Sequence, residues 1–298
     1  MLGRLFGSKK VPEDTKSDFV IEDDEDQDSA FIKSLRLNMS RMIAYAESAD
    51  TVLQREVAEK LANEAVKAER QVQIVELGGL KLLIPLTKST DAEVQRLAAH
   101  ALANLSVNAD NQQLMATEGA IQALVVLLDS EQMQTQRQSA KALANLGVNY
   151  SNKRKIAEAG GIPKLIRLSA SSISIPVKIE AIAALANLAV NDQNEVQIEQ
   201  HDGLRPIIEA LITTLKAIES FSGPKDRDFN NAEELLAQCA RALRNLSVNA
   251  ANKRALLALD AAAPLTRLLE HSNERIVQQT RKALSNLANL DGPPQQGK

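Results

Sequence analysis

The stretch Leu102-Ala-Asn-Leu-Ser-Val-Asn108 decides the fold, because it returns along the chain at nearly constant intervals. Close copies are Leu143-Ala-Asn-Leu-Gly-Val-Asn149, Leu185-Ala-Asn-Leu-Ala-Val-Asn191 and Leu243-Arg-Asn-Leu-Ser-Val-Asn249. Weaker copies on either side are Leu61-Ala-Asn-Glu64 and Leu284-Ser-Asn-Leu287. An internal repeat with this period indicates that the chain is built from stacked copies of one structural unit.

An Asn residue in the middle of each copy, here called the ladder Asn, gives the register of the unit. The ladder Asn residues are Asn63, Asn104, Asn145, Asn187, Asn245 and Asn286. Their successive spacings are 41, 41, 42, 58 and 41 residues, so one unit carries an insertion of about 16 residues. Six copies in matched register predict a repeat protein rather than a single globular core.

The composition favours helices and argues against several classes of function. The 298 residues are 44% hydrophobic and 24% charged but only 2% aromatic, a mixture that suits helices packed through small side chains. A single Cys cannot form an internal disulfide, so a reducing compartment is expected. The three His are scattered and do not have the spacing of metal ligands. A net charge of -3 and the scarcity of aromatic residues argue against nucleic-acid binding. No apolar run approaches the roughly 18 residues of a membrane-spanning helix.

Each unit is predicted to contain three helices. The longest ends near the ladder Asn, and a short helix follows it, for example from Asn111 to Glu118. One or two Gly residues then permit a sharp turn, and the next helix has Pro in its first turn in several units. The predicted turn residues are Gly78, Gly79, Gly119, Gly160, Gly161 and Gly203, and the first-turn prolines are Pro163, Pro206 and Pro264.

With Gly, Pro and Asn in register, the unit resembles the armadillo repeat. The resemblance is clearest in Ala159-Gly-Gly-Ile-Pro-Lys-Leu-Ile-Arg-Leu168, followed by Ala-Leu-Ala-Asn-Leu, and it covers roughly residues 50–290. The units are most similar to those of vacuole-associated armadillo scaffolds and plant U-box armadillo proteins, although the sequence shows no U-box and no Met-Gly start for myristoylation. The resemblance implies an all-α fold, a right-handed α-solenoid of armadillo repeats.

The resemblance also predicts how the chain is organised. Residues 1–29 are expected to form a disordered acidic tail, and residues 30–68 a helical N-terminal cap. About five repeats then fill residues 69–290, with the insertion forming a loop on the rim near residues 219–232. Residues 291–298 are expected to be a C-terminal tail.

In armadillo proteins the third helices line a concave groove, so each position of the repeat becomes a row along it. Four residues before the ladder Asn, the row is Glu59, His100, Lys141, Ala183, Arg241 and Lys282. Eight residues before it, the row is Arg55, Arg96, Arg137, Ile179, Ala237 and Gln278, and Arg244 directly precedes its ladder Asn. Since Glu59 is the only acidic residue in these rows, the sequence predicts an Asn row with basic surroundings.

The resemblance implies that five ladder residues bind the backbone of an extended peptide: Asn104, Asn145, Asn187, Asn245 and Asn286. A side-chain amide both donates and accepts hydrogen bonds, so such a row can hold peptide N–H and C=O groups whatever the peptide sequence. Selection of acidic side chains is assigned to Arg96, Arg137, Lys141, Arg241, Arg244 and Lys282, with His100 as a further ligand contact. The alternative is that each Asn only satisfies a helix end or a neighbouring loop.

The predicted function is a non-catalytic scaffold or adaptor, cytoplasmic and expected to be monomeric, that holds an extended acidic segment of a partner protein. No cofactor, metal or nucleic acid is expected to bind, and peripheral membrane contact stays an alternative. A second interpretation is a membrane- or cytoskeleton-associated scaffold that uses its convex face, insertion loop or tail. A nuclear transport adaptor is disfavoured, because importin-α-like members place Trp four residues before the groove Asn and this chain has no Trp.

Three smaller features carry their own expectations. The acidic run Glu22–Asp28 is either a solvated tail or an internal competitor for the basic groove. Phe221 and Phe229 of the insertion either anchor a partner or pack back onto the solenoid. Cys239 is the one conceivable thiol nucleophile, but the equivalent positions predict a slot for small side chains and a buried, inert thiol. These equivalents are Ala98, Ser139, Ala181 and Thr280.

Overall fold

A computed structural model describes the backbone of residues 24–289 and the side chains of residues 30–289. Within this part of the chain there are seventeen helices and no strands, which confirms the all-helical prediction. The chain divides into two compact units, one ending at Ala120 and the other beginning at Ile121. The predicted C-terminal tail, residues 291–298, and most of the predicted N-terminal tail lie outside the described residues.

The first unit is organised around the pairing of two long helices. Its helices are α1 (Asp24–Glu47), α2 (Thr51–Ala65), α3 (Ala68–Glu76), α4 (Leu80–Leu86), α5 (Ala92–Leu105) and α6 (Ala109–Thr117). Helix α2 packs along α5, while α1 covers α2 and α4. Apolar side chains from four of these helices, Leu35, Leu61, Leu83 and Leu102, are fully buried between them. Burial of a leucine of this kind contributes about 1.5–3 kcal/mol.

Helix α1 begins at Asp24, six residues before the start that the sequence predicted. The acidic segment was expected to stay unfolded as far as residue 29, and for residues 24–29 this was wrong. A helix accepts acidic residues in its first turns because its N-terminal end carries partial positive charge. Residues 22 and 23 of the acidic run lie outside the described part of the chain.

The second unit repeats one three-helix arrangement. Its helices are α7 (Ala120–Leu127), α8 (Met133–Leu146), α9 (Tyr150–Glu158), α10 (Gly161–Ser171), α11 (Ile175–Leu188), α12 (Asp192–Gln200), α13 (Leu204–Glu219), α14 (Arg227–Leu246), α15 (Ala250–Ala258), α16 (Ala262–Leu268) and α17 (Glu274–Ala288). Helices at the same place in successive repeats pack on one another: α8, α11, α14 and α17 in series, and likewise α10, α13 and α16. Residues 171–177 span the end of α10, a short loop and the start of α11.

The last residue of the repeated motif starts the following helix. The side chains of Asn108, Asn149, Asn191 and Asn249 accept hydrogen bonds from backbone N–H groups in the first turns of α6, α9, α12 and α15. Such N-caps contribute about 0.5–2 kcal/mol each relative to Ala. Each capped helix is nine residues long, so the cap fixes both the start of the short helix and the turn that precedes it.

The turn between the first and second helices of each repeat has a left-handed residue. Gly119 and Gly160 take this conformation with φ of +94° and +79°, as the sequence predicted for glycine. In the two later repeats Asp202 and Asp260 take it instead, with φ of 55° and 54°. The prediction for Gly203 was therefore displaced by one residue, since Asp is among the few non-Gly residues that tolerate this region.

The insertion in the fourth unit mainly lengthens its helices. The loop covers only residues 220–226, whereas the sequence predicted a loop near 219–232. Asp226 ends the loop by accepting hydrogen bonds from the backbone N–H groups of Asp228 and Phe229. The buried Phe229 ring packs against Phe221, with 5.2 Å between ring centroids. The second aromatic interpretation, packing back onto the repeats, thus holds for Phe229, while Phe221 stays 41% exposed.

Candidate functional site

In the second unit the ladder Asn residues are joined by a regular hydrogen-bond pattern. Asn187 Nδ2 donates to Ala144 O at 2.8 Å, and Asn245 Nδ2 donates to Ala186 O at 2.7 Å. Asn286 Nδ2 follows the same rule, donating to Arg244 O at 3.1 Å. Each bond reaches the residue just before the ladder Asn of the preceding repeat. We call the surface formed by the ladder Asn residues of α8, α11, α14 and α17, with the side chains one to eleven residues before them that surround them, the ladder face.

These bonds give the ladder Asn a structural role beside any binding role. An Asn amide has two N–H donors, so Asn187 and Asn245 each keep one after bonding the preceding repeat. Asn286 also donates to Ser247 Oγ at 3.1 Å. The alternative that the sequence left open, an Asn serving a neighbouring helix end, is thus realised at these three positions. It leaves capacity for a ligand at Asn187 and Asn245.

Arg241 joins α14 to α11 of the preceding repeat. Its Nη1 donates to Asn187 Oδ1 at 2.9 Å and its Nη2 to Ala183 O at 3.2 Å. Its Nε donates to Gln238 Oε1 at 3.0 Å. The short side chain of Ala183 leaves space for the guanidinium to reach the helix backbone.

Arg244 makes the corresponding contact with the next ladder residue. Its Nε and Nη2 donate to Asn245 Oδ1 at 3.0 and 2.8 Å, and its Nη1 donates to Gln279 Oε1 at 3.0 Å. Among the residues that the structure describes, no carboxylate lies within 4.0 Å of the guanidinium of Arg241 or Arg244. Burial, together with the charges of Arg275 and Arg244, lowers the pKa of Arg241, and the negative charge of Glu234 opposes this shift. Two cations are therefore held by neutral amide and carbonyl oxygens.

The other predicted basic side chains of the ladder face are spread over α8 and α17. Arg137 Nε lies 3.9 Å from Glu180 Oε1, and Lys141 adds a second positive charge near that carboxylate. Burial nevertheless raises the pKa of Glu180. Lys282 is exposed on α17. Positive charge that no acid partner offsets is thus densest near α14 and α17.

The sequence rows missed several polar side chains of the ladder face. Glu180, Gln238 and Gln279 stand seven residues before their ladder Asn, and Glu234 stands eleven before. Seven residues is about two helical turns, so this row shares a face with the ladder Asn as closely as the row at eight does. Counting in steps of seven as well as eight would have found these residues.

The first unit carries the remaining predicted residues. His100 Nε2 lies 3.2 Å from Asn104 Nδ2, four residues apart on α5. Arg96 donates from Nε and Nη2 to the two carboxylate oxygens of Glu93, at 2.7 and 2.6 Å. This bidentate pair offsets the charge of Arg96, which the sequence counted as available for a ligand. Asn104, His100 and Arg96 thus share one helix, while the other nine predicted residues belong to the second unit.

The prediction that Cys239 is a buried, inert thiol is supported by its surroundings. Cys239 is fully buried, and so are its equivalents Ala98, Ser139, Ala181 and Thr280. Burial raises the pKa of the thiol to about 12, so the nucleophilic thiolate is scarce at neutral pH. In the described part of the chain, no three His, Cys, Asp or Glu side chains are grouped in a way that could hold a metal ion. None of the described helices combines the length and apolar character needed to cross a membrane.

Comparison with known proteins places this geometry in a class. The family model of the Armadillo/beta-catenin-like repeat matches residues 68–107, 108–148 and 149–190. No curated protein is significantly similar to the chain.

Several solved structures are similar to the chain over most of its length. One is the crystal structure of an engineered protein that is 29% identical, with a TM-score of 0.71 over 84% of this chain and 96% of that one. The designed armadillo repeat protein YIII(Dq)4CqI is 25% identical, with a TM-score of 0.71 over 83% of this chain and 98% of that one. The designed armadillo repeat protein YIII(Dq.V1)4CPAF, in complex with the peptide (KR)4, is 26% identical, with a TM-score of 0.69 and the same coverage.

The three-helix unit, its capped turns and the stacking of like helices define a helical repeat protein. More particularly, the segments between residues 68 and 190 match the armadillo repeat, and the described chain has the all-helical armadillo repeat fold. Armadillo repeat proteins are typically scaffolds rather than catalysts.

Proposed function

We propose that the chain is an armadillo scaffold or adaptor whose ladder face binds an extended, acidic segment of a partner protein. The observation that carries the proposal is the pair Arg241 and Arg244, two guanidinium groups with no carboxylate partner among the described residues, lying directly on Asn187 and Asn245. An acidic side chain at this place gains charge-assisted hydrogen bonds with two arginines. The remaining amide donors of Asn187 and Asn245 then face the backbone of the same segment.

The designed armadillo protein that binds (KR)4 supports peptide binding as a use of this fold. That peptide is basic, and the ladder face of the present chain is basic in its last two repeats. Like charges disfavour a basic peptide here, so we propose the opposite charge preference.

The compartment and oligomeric state expected from the sequence are also part of the proposal. We propose a cytoplasmic, monomeric scaffold. The free, buried thiol of Cys239 suits a reducing compartment. The specific likeness to vacuole-associated and U-box armadillo proteins stays a prediction, as does binding through the convex face, the insertion loop or the tail. Because Phe229 is buried, the loop offers Phe221 as its exposed aromatic anchor in the described region.

The test compares three fluorescein-labelled octapeptides, (Asp-Glu)4, (Gln-Ser)4 and (Lys-Arg)4, by anisotropy titration of the full 298-residue chain. We expect (Asp-Glu)4 to bind most tightly and (Lys-Arg)4 least, with the acidic peptide losing affinity as salt is raised. Equal binding of all three peptides would contradict the charge preference. Failure of all three to bind would contradict peptide capture by the ladder face.

A matched pair of variants locates the site. Lys282→Gln removes one exposed charge from the ladder face, and Arg154→Gln removes one exposed charge from α9, outside the third helices. We expect the first to weaken (Asp-Glu)4 binding by roughly two- to fivefold, the range of an exposed ion pair, and the second to leave it unchanged. Equal losses from both variants would indicate a general charge effect and not a site on the ladder face.

A further inference from the structure

The ladder asparagines of α11 and α14 are already occupied by the chain's own arginines. Arg241 Nη1 lies 2.9 Å from Asn187 Oδ1, and Arg244 Nη2 lies 2.8 Å from Asn245 Oδ1. The amide nitrogens of both asparagines donate to the preceding repeat. An incoming peptide N–H group therefore competes with a guanidinium for the oxygen of each amide.

Each of the two arginines occurs at a position where the preceding repeat, that of α11, has Ala. The residue four before the ladder Asn is Ala183 in α11 but Arg241 in α14. The residue directly before it is Ala144 in α8 and Ala186 in α11 but Arg244 in α14. The repeat of α11 thus accommodates Ala at both places.

An anion is expected to attract both guanidinium groups away from their present partners. Arg241 uses three of its five N–H donors, all on neutral oxygens, and Arg244 does the same. Arg275 adds a positive charge near Arg241, which Glu234, 3.4 Å from Arg275 Nη1, partly offsets. A carboxylate or phosphate forms stronger hydrogen bonds with such a cluster than amide oxygens do.

We propose that Arg241 and Arg244 make acid recognition the condition for backbone capture by the ladder face at α11 and α14. An anionic side chain of the bound segment draws the guanidinium groups away from Asn187 Oδ1 and Asn245 Oδ1. The released amides then bind the segment's backbone. The proposal rests on the proposed function and adds its selection step. A neutral segment finds the two amide oxygens covered by guanidinium groups, with one N–H donor of each amide still available, and an acidic segment uncovers the oxygens.

The test uses the double variant Arg241→Ala, Arg244→Ala in the full chain, with (Asp-Glu)4 and (Gln-Ser)4 as probes. We expect the affinity for (Asp-Glu)4 to fall by about tenfold or more, since charge-assisted hydrogen bonds are lost. We expect the affinity for the neutral (Gln-Ser)4 to rise about threefold or more, since two amide oxygens become available without competition. Arg154→Gln is the control: it removes an exposed charge on α9, outside the ladder face, and we expect it to leave the binding of both peptides unchanged.

The gain for the neutral peptide distinguishes the proposal from simple attraction. A loss for (Asp-Glu)4 without any gain for (Gln-Ser)4 would overturn the selection step and leave the proposed function standing. Wild-type protein that shows no preference for (Asp-Glu)4 would instead overturn the proposed function itself.

A second readout avoids weak affinities. In 15N NMR spectra the Nε–H signals of Arg241 and Arg244, assigned from the single variants, are expected to shift on addition of (Asp-Glu)4, together with the side-chain amide signals of Asn187 and Asn245. Shifts of the arginine signals without shifts of the amides would overturn the proposal, because the amide oxygens would then have stayed covered.

Discussion

A Cβ atom built on Gly161 would lie 2.8 Å from Cγ2 of Ile156, five residues earlier. The same overlap recurs between Gly79 and Ile74 and between Gly203 and Ile198. In the two repeats that have Ala at this position, the earlier residue is not β-branched: Met115 precedes Ala120, and Leu256 precedes Ala261. The γ-methyl of Ile thus takes space that a β-carbon would need, and the carbonyl oxygen of Ile156 lies equally close, 2.8 Å from the Cβ built on Gly161.

This relationship predicts strong coupling between the two positions. Gly161→Ala is expected to destabilise the fold by about 1–3 kcal/mol, the range for overpacking a core. Ile156→Leu alone is expected to cost less than about 1.5 kcal/mol. The double variant recreates the pair Leu256 and Ala261. We expect its loss in free energy of unfolding to be smaller than the sum of the losses of the two single variants.

Urea denaturation of the four proteins of this double-mutant cycle measures the coupling. Additive losses would show that the backbone of the turn, rather than the Ile side chain, excludes a β-carbon at Gly161.

The thiol of Cys239 is expected to react only when the protein opens. Its burial and a pKa of about 12 suppress the thiolate, so modification by a chromogenic disulfide reagent should follow the rate of local unfolding. Cys239→Ala should cost less than about 1.5 kcal/mol, because Ala181 fills the equivalent slot in the adjacent repeat. Rapid reaction of the native protein in the absence of denaturant would contradict this account of the site.

A second row of asparagines, buried on the short helices, should matter more for stability than the ladder Asn. Asn194 is 1% exposed, and its Nδ2 donates to Lys153 O at 3.1 Å in the preceding repeat. Asn252 Nδ2 donates to Glu195 O in the same way, at 3.3 Å. Asn194→Ala removes a buried hydrogen bond between repeats and leaves a cavity in its place, and we expect a loss of about 1–3 kcal/mol.

Thermal or urea unfolding of Asn194→Ala beside Asn187→Ala gives the comparison. Asn187 is only partly buried, so water can replace its bond to Ala144 and we expect a loss nearer 1 kcal/mol, about the net value of one hydrogen bond. A larger loss at Asn187 would reverse the assignment of structural and binding rows.

The ladder Asn residues and the buried Asn residues of the short helices show how much of the fold could be predicted from the sequence. The period, the three helices and the Asn N-caps follow from residues such as Asn149 and Pro163, whose local chemistry acts within one turn of the chain. The buried row also has a fixed spacing, seven residues after the ladder Asn, but only packing shows that Asn194 points at a neighbouring repeat. The extension of α14 to Arg227 depends on the Asp226 cap inside a segment that reads as a charged loop.

The candidate site was predictable in its residue types and not in its pairing. The sequence places Arg96, Arg137, Arg241 and Arg244 near ladder asparagines by helical spacing alone. Whether an arginine is offset by an acid depends on rotamers and neighbours. Glu93 binds Arg96, whereas amides hold Arg241. Those contacts separate arginines that look equivalent in the repeat register.

A second polar position on the short helices, next to the buried Asn row, predicts a pH dependence of stability. Gln71 and Gln112 each donate to a carbonyl at the end of the preceding long helix, Ala65 O at 3.1 Å and Ser106 O at 3.2 Å. At the same position of its repeat α12 has Glu195, a carboxylate that cannot donate unless it is protonated. Burial raises the pKa of Glu195 from 4.5 to about 7, opposed by a hydrogen bond with Asn249 and reinforced by Asp192.

Because the folded state holds the proton more tightly than the unfolded state, the free energy of unfolding should fall as pH rises from about 4.5 to about 7. Glu195→Gln supplies the amide found at Gln112 and carries no charge to desolvate. We expect this variant to gain about 1–3 kcal/mol above pH 7 and to lose that part of the pH dependence. Urea denaturation at pH 5 and pH 8 measures both effects, with Glu199→Gln on the same helix as the charge control. A gain of equal size from Glu199→Gln, or a Glu195→Gln variant whose stability still falls across this range, would place the pH dependence elsewhere in the chain.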